Sequence, residues 1–293
     1  MLLTCAVSSI ADLLKPAGSK PPRLKLSDVP AYVREELGLH GLTLSTSFLV
    51  GSTRERLEAF RDRADKARCA CLMLLEDAAL PLATEDDDAA ETHVDRLRRV
   101  VEAAHLLGCN AVGVRVEAPD DDDSLERAAD RLRVGMERAD KLELNILINP
   151  QKGLTEAPER LSELIKKVGG FRIGSMPDFE AAAASDDPAS YLKRITPYAS
   201  VVIASTREFG EIPDSATPDD DKPGSLEDLA DALMSSEAAP HTAYDLDPLI
   251  AAIAAVGFDG ALTIDYRGDE DGTLGVLKSR EAIEAAIQAS AEA

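Results

Sequence analysis

Short runs of β-branched and other apolar residues alternate with longer segments of helical periodicity along the chain. The clearest helical segment is Ala89–Leu107, in which Val94, Leu97, Val101 and Ala104 recur every three or four residues and so share one face. Strand patterns that alternate with helix patterns are typical of βαβ units around a parallel sheet. The pattern therefore predicts an α/β fold.

Eight runs have the length and composition of buried strands. One such sheet closed on itself, with a helix after each strand, is a (β/α)8 TIM barrel, and a barrel of about 250 residues commonly forms one domain. We therefore expect a single TIM-barrel domain over residues 1–293, with its ligand site at the carboxyl ends of the strands. The predicted strands are Leu2–Ser8, Leu42–Ser45, Cys69–Glu76, Ala111–Glu117, Leu144–Asn149, Phe171–Met176, Ser200–Ser205 and Ala261–Tyr266.

The two kinds of connection differ in composition. The helix-to-strand connections are short and contain glycine, whereas the strand-to-helix connections carry acidic runs such as Glu85–Asp88 and Asp120–Asp123. Acids there either stabilise helix N-termini as solvated groups or make a mouth that collects cations. A long acidic loop is expected at about 207–244, with one short helix at Ser225–Met234, and its role as a lid or as an insertion is open.

Composition restricts the classes of partner that the protein is expected to bind. The formal charge is -22, aromatic residues make up 4% and Trp is absent, which argues against nucleic-acid binding. No apolar run is long enough to span a membrane and no signal peptide is evident, so a cytoplasmic location is expected. The cysteines lie in or beside apolar runs and lack a second Cys/His pair at zinc spacing, so they are interpreted as core residues.

Polar side chains stand where most of the predicted strands end. Carboxylates from several strands that meet in one mouth can bind a hard divalent cation such as Mg2+ or Mn2+, and the candidate metal ligands are Glu76, Glu117, Asp178 and Asp265. Each can instead cap a helix. None of the four histidines is expected at the mouth by this pattern.

Three segments carry a family resemblance: Val29–Gly38, Ala103–Val112 and Gly257–Tyr266. Their order and spacing resemble the xylose isomerase-like TIM-barrel superfamily, that is, the sugar phosphate isomerase/epimerase family, which also includes endonuclease IV-type enzymes. The resemblance implies a carbohydrate ligand and a divalent metal in the barrel mouth.

The metal pattern of that family is only partly present. Members commonly use a Glu after the fifth strand, an Asp after the sixth, a His on the seventh and a Glu on the eighth. Here the matching positions hold Asn149, Asp178, Ile203 and Asp265, and Thr43 stands where a Glu is frequent on the second strand. Fewer and weaker ligands predict weak or no constitutive binding of metal. Asp178 and Asp265 would then lie close together without full compensation, so we expect either that one of them takes up a proton or that Lys152 or Arg267 pairs with it.

The residues and the resemblance lead to two hypotheses about function. The first is a divergent sugar isomerase or epimerase with a degenerate metal site, in which Asp178 and Asp265 hold a cation and Lys152 or a carboxylate moves protons. The second is a non-catalytic barrel that binds a small polyol or a protein partner. A metal-dependent phosphodiesterase is disfavoured because it needs a metal cluster and a surface that tolerates phosphates. Candidate ligand-binding residues are Asn149, Gln151, Ser205 and Arg267.

Overall fold

The computed structural model describes residues 1–16, 21–210 and 239–292. Eight parallel strands form one curved sheet in the order β6-β5-β4-β3-β2-β1-β8-β7, with helices between them. The expected (β/α)8 barrel is confirmed. The strands are β1 Leu2–Ala6, β2 Gly41–Ser45, β3 Ala70–Leu75, β4 Ala111–Val114, β5 Asn145–Ile148, β6 Ile173–Ser175, β7 Val201–Thr206 and β8 Ala261–Tyr266.

The helices surround the sheet and bury their apolar faces against it. They are α1 Ala11–Leu14, α2 Val29–Glu35, α3 Arg54–Ala67, α4 Asp87–Leu107, α5 Asp122–Lys141, α6 Pro158–Val168, α7 Phe179–Ala183, α8 Pro188–Ile195, α9 Asp247–Ala255 and α10 Gly272–Glu292. The predicted helix Ser225–Met234 lies outside the described residues. Within those residues, no helix is both long and apolar enough to cross a membrane.

Helix α4 shows how the local sequence sets the helix ends. The Asp86 carboxylate accepts hydrogen bonds from the backbone N–H groups of Asp88 and Ala89, which otherwise lack a partner in the first turn. Gly108 ends the helix with φ of 78°, a left-handed conformation that glycine adopts without strain. The helix therefore starts two residues before the predicted Ala89, because the acidic run caps it.

Five strands are shorter than predicted, and two of them, β1 and β4, end two or three residues before their predicted carboxyl ends. β1 ends at Ala6 because the chain turns into a 3-10 segment at Val7–Ile10, which brings Ser8 and Ser9 over the barrel mouth. β4 ends at Val114, and Val116 then forms an isolated parallel bridge with Leu80. The chain thus begins to leave the sheet at the mouth while its residues are still apolar.

The barrel closes between β6 and β7, the two ends of the strand order. Only isolated bridges join them, Ser175 with Ala199 and Asp178 with Ile203, and the Ile203 N–H donates to the Pro177 carbonyl over 2.8 Å. Longer ladders join the other neighbouring strands. This β6–β7 seam is the most weakly paired junction in the described barrel.

A glycine is needed at the seam. A Cβ added to Gly174 would lie 2.2 Å from the carbonyl oxygen of Tyr198, which is backbone and cannot move aside as a side chain does. Tyr198 belongs to the 3-10 turn Thr196–Tyr198 that leads into β7. The close approach of two backbones at Gly174 therefore fixes the spacing of β6 and β7.

Side chains fill the barrel interior below the mouth. One part is apolar, where Met73, Leu147 and Met176 belong to one buried cluster. The other is polar, since the hydroxyl of Thr263 forms hydrogen bonds with those of Thr4 at 2.9 Å and Thr43 at 3.2 Å. The four cysteines are free and buried, as expected of core residues; they are Cys5, Cys69, Cys71 and Cys109.

Candidate functional site

A cavity of about 840 Å³ opens at the carboxyl ends of the strands. Asp178 from the β6 side and Asp265 from β8 both line it, so the two aspartates share one cavity as predicted. Asn149, Gln151 and Arg267 line it as well. Its size lies within the range of small-molecule sites.

Arg267 occupies the space between the two aspartates. Its Nε lies 2.8 Å from Asp265 Oδ2, and its Nη2 lies 2.5 Å from Asp178 Oδ2. Burial acts to lower the pKa of Arg267, but the adjacent carboxylates outweigh burial and raise it well above its ordinary value. The guanidinium is therefore a permanent cation that joins the ends of β6 and β8.

Glu180, in the first turn of α7, adds a third carboxylate to this group. Its Oε2 lies 2.5 Å from Arg267 Nη1 and its Oε1 lies 2.9 Å from Arg207 Nη1. Burial acts to raise the pKa of Glu180, yet the two arginines hold it below the ordinary value. Three carboxylates face two guanidinium groups, and we call these five residues, Asp178, Glu180, Arg207, Asp265 and Arg267, the Arg267 cluster.

Asp178 is fully hydrogen-bonded. Besides Arg267, its Oδ1 accepts from the Glu180 N–H at 2.9 Å and from the Ser205 hydroxyl at 2.8 Å, so it also caps α7. Ser205 is completely buried and does not line the cavity. Its position behind Asp178 makes it a support for that carboxylate.

His241 joins the segment that begins at residue 239 to the end of β7. The Nε2 of His241 accepts from the Arg207 N–H at 3.0 Å, and its Nδ1 lies 2.7 Å from the Tyr244 carbonyl oxygen, so Nδ1 carries the proton. Burial lowers the pKa of His241, which favours this neutral form. The Tyr244 hydroxyl in turn donates to the Ser205 carbonyl. His241 thus lies beside the end of β7 and does not line the cavity.

The family model described as xylose isomerase-like TIM barrel matches residues 33–292. The chain belongs to this family. No curated protein sequence matches that of the chain.

Solved structures of the xylose isomerase-like fold superpose on the whole chain at low identity. A D-tagatose 3-epimerase-like protein has a TM-score of 0.71 at 14% identity, covering 100% of this chain and 99% of its own. An L-ribulose 3-epimerase has a TM-score of 0.74 at 14% identity, covering 100% and 96%. An IOLI protein described with a bound zinc atom has a TM-score of 0.70 at 13% identity, covering 99% of each chain. These likenesses show the fold.

The residues at the family's metal positions do not fit a divalent cation. Asn149 offers an amide, whose Nδ2 donates to the Met176 carbonyl at 3.2 Å, and Ile203 offers no donor atom. The carboxylates of Asp178 and Asp265 already bind Arg267. Across residues 1–16, 21–210 and 239–292, no three His, Cys, Asp or Glu side chains are grouped to hold a metal. A cation at this place would have to displace the guanidinium.

Besides Ser205, three of the predicted site residues lie away from the cavity. Glu76 is 2% exposed and binds Arg96 of α4, with Oε2 at 2.8 Å from Nε, so its carboxylate belongs to the helix layer. Glu117 and Lys152 are exposed and do not line the cavity. The structure therefore does not bring Glu76 or Glu117 together with Asp178 and Asp265.

Glu180 and Arg115 are among the cavity residues that sequence analysis missed. Glu180 follows Asp178 by two residues in a helical first turn, a signal that was available. Arg115 was hidden inside the apolar run that predicted β4, and it lines the cavity just beyond the strand end.

Proposed function

We propose that this protein binds a small carbohydrate in the barrel-mouth cavity without a divalent metal ion. One observation carries the proposal: the Arg267 guanidinium binds both Asp178 and Asp265, the two carboxylates left at the family's metal positions. Structures that share the fold include proteins described as sugar epimerases, which supports a carbohydrate as the ligand.

The cavity lining suits a polyol. Ser8, Ser45 and Gln151 line it, and their hydroxyl and amide groups are of the kind that exchange hydrogen bonds with sugar hydroxyls. Met176 and Ile203 add an apolar wall that can contact the C–H face of a sugar ring. Such a site selects ligand size and hydroxyl pattern.

The same geometry disfavours proton abstraction. A general base works best when its pKa lies near the operating pH and it can reach the proton that it removes. The carboxylates of Asp178, Glu180 and Asp265 are bound by guanidinium groups, and Glu180 has a pKa below its ordinary value. We therefore favour binding without turnover over isomerisation.

Sugar isomerase or epimerase activity remains the second candidate, because Arg267 retains one donor. A guanidinium has five N–H groups, and Arg267 makes four hydrogen bonds to its three carboxylates. The N–H that is left, on Nη2, can donate to a ligand carbonyl and stabilise an oxyanion that develops there.

The proposal is tested by measuring sugar binding before and after metal ions are removed by chelation. The purified protein is assayed for metal by mass spectrometry, then titrated with D-fructose, D-psicose and D-tagatose in buffer and after EDTA treatment, with saturation-transfer NMR as the readout. We expect saturable binding of at least one sugar and the same affinity after EDTA. Stoichiometric metal whose removal abolishes sugar binding would contradict the proposal. Formation of a C3 epimer or an aldose during the same experiment would favour the second candidate.

A further inference from the structure

Arg115 is the second guanidinium in the mouth, and its hydrogen bonding is incomplete. It follows β4 directly and lines the cavity. One Nη2 hydrogen bond goes to the backbone carbonyl of Asp77. Among the described residues, neither its solvent-shielded Nε nor its solvent-accessible Nη1 has a hydrogen-bond partner. In the described part of the chain, no carboxylate oxygen lies within the 4.0 Å of a salt bridge to Arg115, which distinguishes it from Arg267.

The nearby acids are already bound elsewhere. Asp77, whose backbone carbonyl accepts from Arg115, has its carboxylate elsewhere: Oδ2 accepts from the Ser47 N–H at 2.7 Å. The preceding carboxylate, Glu76, binds Arg96. Two other acids that line the cavity have their own cations, Asp12 with Arg23 and Glu270 with Lys278.

A guanidinium that lines a cavity without a carboxylate partner keeps its charge and its solvent-accessible N–H groups available to a ligand. In a cavity, the partner that best satisfies a planar guanidinium is an anion with two oxygens at matched spacing, which accepts two parallel N–H bonds. A sugar hydroxyl satisfies one donor and leaves the charge without a counterion. The uncompensated charge and free N–H donors of Arg115 therefore point to an anionic group as their partner.

We propose that Arg115 binds the anionic group of the ligand, so that the carbohydrate taken by this cavity carries a phosphate or a carboxylate. This inference rests on the proposed function, because it specifies which class of carbohydrate the same cavity binds. Arg267 neutralises the protein's own carboxylates, whereas Arg115 recognises the ligand.

Calorimetric titration of the full chain with matched ligands tests the assignment. The probes are D-fructose, D-fructose 6-phosphate, D-gluconate and inorganic phosphate, and the variants are Arg115→Gln and Arg115→Lys. The control, Arg99→Gln, removes the same charge from an exposed site on α4. In the unmodified protein, we expect one of the two anionic sugars to bind at least about tenfold tighter than D-fructose. That preference should disappear in Arg115→Gln, decrease in Arg115→Lys and persist in Arg99→Gln.

The outcomes separate the two proposals. Equal binding of neutral and anionic sugars, or a preference that survives in Arg115→Gln, overturns the role of Arg115 and leaves neutral sugar binding in place. Absence of binding by every neutral and anionic sugar overturns both. Tighter binding of D-fructose 6-phosphate identifies the phosphate source, and tighter binding of D-gluconate identifies the carboxylate.

A second measurement does not depend on how well Arg115→Gln folds. The side-chain Nε–H resonance of Arg115 is observed by ¹H–¹⁵N NMR in the unmodified protein and assigned by its disappearance in Arg115→Lys. Addition of the tighter anionic sugar should shift this resonance, while D-fructose should leave it nearly unchanged. A resonance that does not move with a bound anionic sugar contradicts the proposal.

Discussion

A single guanidinium joins three carboxylates at the barrel mouth. Arg267 contacts three carboxylates, and the side chain of Asp178 among them is only 9% exposed. Removing one partner of a partly buried ion pair leaves the other charge desolvated and uncompensated, which is more costly than the pair is stabilising. The residue therefore has a structural role whatever ligand the cavity takes.

The first prediction concerns the loss of that cation. Arg267→Met should lower the free energy of unfolding at pH 7 by about 3 kcal/mol, because Asp178 and Asp265 then lack a counterion and Glu180 keeps only Arg207. Urea denaturation measures the change. Arg54→Met, which breaks an exposed pair with Glu58, is the control and should cost less than about 1 kcal/mol. Equal losses in the two variants would show that the Arg267 cluster does not act as a buried ionic group.

A second prediction concerns metal. Asn149→Glu with Ile203→His restores two of the family's ligand types, yet Arg267 still occupies the carboxylates. We expect this double variant to remain without a submicromolar site for Mn2+, and the triple variant with Arg267→Ala to bind Mn2+ at least about tenfold tighter. Calorimetry measures both affinities. Tight binding by the double variant alone would mean that the guanidinium moves aside.

A third prediction concerns pH and His241. Burial lowers the pKa of His241 in the folded state below its ordinary 6.5, so the unfolded chain binds more protons as the pH falls. The stability that His241 contributes is present above about pH 6.5 and is lost as the pH falls through the folded-state pKa. His241→Gln should flatten the decline of stability between pH 7 and pH 5. His93→Gln on α4 is the control, and an equal effect in both variants would remove His241 as the cause.

At the scale of elements, the periodicity of apolar residues was sufficient to predict all eight strands and their parallel order, because each strand buries a run of its own. The carboxyl ends were less accurate. The runs at Leu2–Ser8 and Ala111–Glu117 continue past Ala6 and Val114, since loop residues at the mouth also pack on apolar surface. Contacts across the mouth, such as Arg267 with Asp178, join residues 89 positions apart and have no periodic signal.

The orientation of the Glu76 side chain is another feature that the sequence pattern could not predict. Sequence placed it at a strand end, but whether its carboxylate enters the mouth or the helix layer depends on where the strand leaves the sheet. The partner that decides it, Arg96, lies 20 positions away on α4. The strand pattern predicts which residues are candidates for a site. Which of them enter the site depends on where their ion-pair and hydrogen-bond partners lie in the fold.

A fourth prediction tests the β6–β7 seam. Gly174→Ala places a methyl group 2.2 Å from the Tyr198 carbonyl oxygen, so the backbones of β6 and the preceding turn must separate. We expect a loss of about 2 kcal/mol or more in the free energy of unfolding, measured by urea denaturation. Gly113→Ala in β4 is the matched control, because its closest contacts are flexible side-chain ends of Leu75 and Met176. A smaller loss for Gly174→Ala than for the control would show that the seam adjusts freely.

At the scale of the whole molecule, part of the acidic composition serves to begin helices. Asp86, Asp121 and Asp187 accept backbone N–H groups at the starts of α4, α5 and α8. This favours the interpretation of the acidic runs as helix caps over a mouth that collects cations. The net charge of -22 thus reflects local requirements of many helices as well as the surface around the cavity.

The contacts of Arg267 also span the β6–β7 seam. The guanidinium extends from the end of β8 to Asp178 beyond β6, while Ser205 on β7 donates to the same carboxylate, so three consecutive strands are tied at one point. Opening of the seam and occupation of the cavity are therefore coupled equilibria. A ligand that draws Arg267 toward itself would speed amide hydrogen exchange at Ile203, and one that leaves the guanidinium in place would slow it. The exchange rate of that single amide would report how the barrel holds its ligand.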